Sequence, residues 1–94
     1  MVKKYMKKPI RVEVIQYTDI ESGREIEAWS NNKCMLDEYN NSILINTLEG
    51  VMTAVPGSYI IKGNEGEFWA VKQSIFEKTY MLVTSEHGVS YNGN

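Results

Sequence analysis

The side chains in this sequence that could do chemistry are of binding type, and most fall on strand-like runs. Arg11, Gln16 and Tyr17 lie on or near a first alternating segment, Tyr59 and Lys62 on one arm of a later hairpin, and Trp69 and Lys72 on the other. Aromatic rings stack on nucleobases, and Lys or Arg meet phosphates. These seven residues form the candidate ligand-binding set. Each also has a purely structural role open to it. Trp69 suits a core or a subunit interface, Lys62 and Lys72 suit the wet ends of strands, and Tyr59 can bury its ring with the hydroxyl at the rim.

The catalytic inventory is thin by comparison. His87, the single histidine, falls in a polar, glycine-bearing tail, and Cys34 is the single cysteine. A Cys34–His87 dyad is formally possible, but an exposed tail histidine is the simpler reading. One His and one Cys give no zinc-ligand spacing. Gly63-x-x-Gly66 reads as a turn rather than a phosphate loop. Glu49, Glu65 and Glu67 cluster at loop edges, where a pair could do acid/base work or hold Mg²⁺, but nothing in the spacing makes them converge. The expectation is a protein that is not an enzyme and needs no cofactor or metal.

Ninety-four residues, 43% hydrophobic and 23% charged, fit one domain spanning 1–94. Its ordered core is expected over about 5–84, with 85–94 a mobile tail. The net charge of -2 argues against a dedicated polyanion binder. The charge is unevenly spread, because Lys3, Lys4, Lys7, Lys8 and Arg11 hold half of the ten basic residues. That start is either a solvated terminus or an anion-contacting arm. One cysteine rules out an internal disulfide and fits a reducing cytoplasm. No apolar run approaches the roughly 18 residues of a membrane span, and the basic start leads into Pro9 rather than a signal-peptide core.

These side chains need elements to position them. "PIRVEVIQYT" (9–18) alternates as a strand. "SGREIEAW" (22–29) opens with a Ser22-x-x-Glu25 capping pattern and places Ile26 and Trp29 on one helical face, with Asn31-Asn32 ending it. Short strands follow at 33–38, 42–47, 51–55, 58–62 and 67–72, separated by Asn-, Gly- and Pro-Gly-bearing turns. "SIFEKTYMLV" (74–83) reads as one helical turn entering a final strand, "TYMLV". About seven strands and one or two short helices predict an α+β domain, mostly antiparallel β, as a small strongly curved sheet or partly open barrel.

The hairpin "SYIIKGNEGEFWAVK" lacks clean alternation. Ile60 and Ile61 must point to opposite faces, as must Phe68 and Trp69. Both faces therefore need cover, and the short helix offers too little for both. A second copy of the chain is the simplest supplier, which predicts a homo-oligomer, most simply a dimer. Clefts between subunits also commonly hold small ligands.

"KKPIRVEVIQYT", "INTLEGVMTAVPGSYIIKGNEGEFW" and "SIFEKTY", taken in order over roughly residues 5–83, resemble a group of small proteins from tailed phages and prophages. The chain departs from that group's pattern at Tyr17, where Trp is usual, at Ser58, where Asp is usual, and across "FWAVKQS" (68–74). The resemblance implies a phage accessory protein acting in the bacterial host cytoplasm, and it carries no established activity. By analogy with phage proteins that trap immune signals, the leading expectation is sequestration of a small nucleotide signal of antiphage immunity. The alternatives are a protein-interaction module that inhibits a host protein and a binder of single-stranded nucleic acid, the latter disfavoured by the acidic balance.

Overall fold

A computed structural model of the chain describes residues 1–6 and 8–83. The chain order is β1 (Glu13–Gln16), α1 (Ile20–Trp29), β2 (Cys34–Asp37), β3 (Ser42–Thr47), β4 (Gly50–Ala54), β5 (Tyr59–Lys62), β6 (Phe68–Val71) and α2 (Gln73–Thr79). The strands form two three-stranded antiparallel sheets, β1-β5-β6 and β2-β3-β4. The α+β class is as expected. The sheets do not join into a closed barrel, since no ladder links β6 to β3 or β4 although β6 lies against both.

One core fills the space between the inner faces. Ile15, Ile60 and Ala70 form a row across the first sheet; Leu36, Ile43 and Ala54 form one across the second. Tyr17, Ile26 of α1, Cys34, Ile45 and Phe68 complete the cluster, with Trp29 edge-on to Phe68 at 5.2 Å. Burying a side chain of this size contributes roughly 1.5–3 kcal/mol, so the two inner rows carry much of the fold.

Helix α1 begins earlier than the capping pattern at Ser22 implied. Asp19 is the cap: its carboxylate accepts from Ser22 N at 2.8 Å, and Ser22 Oγ accepts from Asp19 N at 3.0 Å. An Asp at this position is as good an acceptor as Ser, and the earlier start seats Gly23 against β2. A Cβ at Gly23 would stand 2.8 Å from Leu36 Cδ1, so the missing side chain lets helix and strand approach. Asn31 and Asn32, with φ of 55° and 65°, end the helix in the left-handed region. Glu27 of α1 accepts from Leu36 N at 2.9 Å, which occupies an outward donor of the edge strand β2.

Two expected strands shrink or vanish. The segment 9–18 forms a ladder only over Glu13–Gln16. Before Glu13 its partner β5 has ended at Lys62, at the turn that begins with Gly63. After Gln16 the bonding passes to Tyr17, whose N–H donates to Ser58 O at 2.9 Å and whose carbonyl accepts from Gly57 N at 2.7 Å. "TYMLV" forms no strand among the described residues. Helix α2 instead runs to Thr79, and the Tyr80 N–H closes it on Phe76 O at 2.9 Å. The expected mobile tail at 85–94, with His87, lies outside the described residues.

Ile60 and Ile61 do face opposite ways, and both are fully buried. Ile61 sits on the outer face of the first sheet, flanked by Val14 and Trp69. Its burial is complete within one chain, so covering it requires no second copy.

A ring column beside a groove on the outer face of the first sheet

On that same outer face, Tyr59 of β5 stands between Gln16 of β1 and Val71 of β6. Helix α2 crosses to it. The Phe76 ring lies on Tyr59 with centroids 3.9 Å apart and planes 11° from parallel, and Tyr80 lies on Phe76 at 4.6 Å and 9°. The order of the column follows from α2: Phe76 and Tyr80 are four residues apart and so come to one side of the helix. The Glu77 carboxylate fixes the base of the column, accepting from Tyr59 Oη at 3.3 Å and from Gln73 Nε2 at 3.2 Å. Burial raises the Tyr59 phenol pKa above its ordinary value, and the nearby negative charge of Glu77 with its hydrogen bond adds to the rise.

A groove of about 670 Å³ opens beside the column, within the size range of small-ligand sites. Ile10, Val12 and Val14 form its apolar side, and Met81 to Val83 border it near the end of α2. Its polar groups are Arg11, Gln16, Tyr59, Glu77 and Tyr80. Gln16 Nε2 donates to Gly57 O at 3.1 Å, which holds the amide in the groove. A flat apolar ring column, a guanidinium and an amide are thus gathered in one depression.

Of the seven candidate residues, Arg11, Gln16 and Tyr59 meet here and four do not. Tyr17 is only 1% exposed; its ring belongs to the core, and its hydroxyl donates to Asn41 Oδ1 at 2.9 Å. Burial, with the charges of Asp37 and Asp19, raises its pKa. Lys62 projects from the inner row toward Phe68, its Nζ 6.0 Å from the ring centre. Trp69 lines two other depressions, one beside Lys8 and Pro9 and one at the β3–β4 hairpin. Lys72 borders a shallow groove with Pro56, Gly57 and Ser58, where it precedes α2.

Sequence reasoning missed Phe76, Glu77 and Tyr80. Their signal was the i, i+4 aromatic pair in "FEKTY", hidden because the segment read as a helical turn passing into a strand. Glu49, Glu65 and Glu67, whose convergence the spacing did not reveal, line one cleft. They form no metal-holding group; none of three or more His, Cys, Asp or Glu occurs among the described residues. Cys34 is fully buried, and burial raises its thiol pKa, opposed in part by a hydrogen bond with Ser30. That is the setting of a structural cysteine rather than a nucleophile. No helix among the described residues is long and apolar enough to cross a membrane.

No protein-family model matches the chain, and no curated protein or solved structure shows significant similarity to it.

Proposed function

We propose that the groove beside the ring column binds a small nucleotide and that the protein acts by holding this ligand, without transforming it. The observation that carries the reading is the meeting of Arg11, Gln16 and Tyr59 with the Tyr59–Phe76–Tyr80 column around one groove of about 670 Å³. A planar base extends the column at one of its ends, where stacking contributes about 1–3 kcal/mol per base. Arg11 meets a phosphate, and the Gln16 amide hydrogen-bonds the base edge. The apolar side formed by Ile10, Val12 and Val14 keeps water from the stacked face. In the setting the phage resemblance implies, a bacterial host cytoplasm, the ligand is a nucleotide signal of antiphage immunity and the effect is its withdrawal.

The test is a thermal-melting panel of cyclic dinucleotides, cyclic oligonucleotides, ADP-ribose-type compounds and short single-stranded oligonucleotides, followed by chromatography of the recovered ligand. A matching ligand at 100-fold its Kd stabilises the folded chain by about 2.7 kcal/mol, which in a domain this small raises Tm by roughly 10 °C. The Arg11→Gln variant should lose most of that shift, and the ligand should be recovered intact. Flat melting curves across the panel would overturn the reading. A cleaved ligand would replace holding with catalysis.

A further inference from the structure

A larger cleft, about 910 Å³, lies between the tip of the β3–β4 hairpin and the Gly63–Gly66 loop. Leu48, Val51 and Met52 line it from the hairpin and Trp69 from β6. Leu48 is fully exposed at the hairpin tip and Val51 is 64% exposed, so its apolar surface faces solvent in the single chain. The polar lining is acidic. Glu49, Glu65 and Glu67 stand against one cation, Lys33, which itself reaches Gly66 O at 3.4 Å.

The first eight residues, "MVKKYMKK", have the complementary character. Apolar pairs at Met1-Val2 and Tyr5-Met6 alternate with lysine pairs at 3–4 and 7–8. On a helix the four apolar residues share one side and the four lysines the other, because positions i, i+1, i+4 and i+5 fall within one face. Free, two helical turns are too short to persist. In the structure residues 1–6 take no regular form, and Met1, Val2, Tyr5 and Met6 are 88–110% exposed. They stand clear of their own chain rather than filling its cleft. The root of the arm, Lys8 and Pro9, nevertheless shares a groove with Glu65, Glu67 and Trp69, three residues that also line the cleft.

We infer that the arm of one copy docks into the Leu48–Met52–Trp69 cleft of a second copy, and that the exchange is reciprocal. A two-fold axis beside the arm root places each root next to its own cleft and each arm across the partner's, the self-complementary arrangement of a symmetric dimer. The apolar face of the arm covers the exposed hairpin side chains, and its lysines meet the acidic rim. The cleft shares no lining residue with the ring-column groove, although the groove at the arm root shares Ile10, Val12 and Tyr80 with it, and the docking does not depend on what the ring-column groove binds.

Light scattering of the full chain, at micromolar concentration and across a salt series, tests the exchange. A dimer is expected, weakened by salt because its ion pairs are partly exposed. Removing residues 1–7 should leave a folded monomer, with folding checked by circular dichroism. Combining Glu49→Lys with Glu65→Lys should weaken dimerisation at least tenfold, and mixing that protein with a Lys3→Glu, Lys4→Glu chain should restore association. A monomeric full chain overturns the inference, as does a dimer that survives arm removal. A dimer that needs the arm but ignores the cleft reversals overturns the assigned site.

Discussion

The Tyr59 and Phe76 rings lie 3.9 Å apart and 11° from parallel, and this stack joins helix α2 to the outer face of the β1–β5–β6 sheet. Among the described residues α2 has no buried residue of its own. Its attachment therefore rests on half-buried aromatic contact, reinforced by the Glu77 hydrogen bonds to Tyr59 and Gln73.

Replacing Phe76 by Ala should loosen α2 and remove the middle ring of the column. Aromatic pairing contributes about 0.5–1.5 kcal/mol beyond area burial. With two such contacts and partial burial, the expected loss is about 2 kcal/mol. Urea unfolding measures it, and Phe76→Leu should recover part of the stability but little of any nucleotide binding.

The alkaline limb of stability should report on Tyr59. Its pKa is raised in the folded chain, first by burial and then by Glu77, so the neutral phenol is the form the fold favours. The stabilisation is complete below the ordinary tyrosine value of about 10 and is lost as pH rises through the higher folded value. Tyr17 shifts the same way and adds to the loss. Phenolate absorbance should show Tyr59 titrating late, and Glu77→Gln should bring it down toward, though not fully to, the ordinary value, because burial remains.

At the start of α1, Asp19→Ala should cost about 1 kcal/mol, and Asp19→Ser should recover most of it. The reciprocal bonds between Asp19 and Ser22 make the two positions interdependent, so Ser22→Ala should cost less once Asp19 has been replaced. Thermal unfolding of the single and double variants measures this coupling.

Much of the local structure was legible in the residues. The strands at 42–47 and 59–62 fall within a residue of their expected bounds, because β-branched runs between Asn and Gly turns leave few alternatives. Gly57 and Gly66 do adopt positive φ, as their turns required. The opposite orientations of Ile60 and Ile61 followed from the two-residue repeat of a strand alone. The helix start reads as Ser22 rather than Asp19, and "FEKTYMLV" reads as passing into a strand, because neighbouring caps and continuations differ little in local preference.

The candidate site divides along the same line. Arg11, Gln16 and Tyr59 were recognisable by type, but so were Tyr17, Lys62, Trp69 and Lys72, which the fold sends to the core, the inner row and other grooves. Gln16 and Tyr17 differ by one position and point to opposite faces, so which of them reaches the groove depends on which face meets the other sheet. By itself the sequence determined the α+β class, the strand runs from 33 to 72, the turns and the need to cover both faces, since these follow from backbone sterics and side-chain periodicity. Only tertiary structure decided that α2 returns over the first sheet and that Phe76 and Tyr80 build a column on Tyr59. It also decided that Glu49 of the β3–β4 tip shares a cleft with Glu65 and Glu67, because the joins of Tyr59 to Phe76 and of Glu49 to the Gly63–Gly66 loop link residues far apart in the chain and no local preference encodes them.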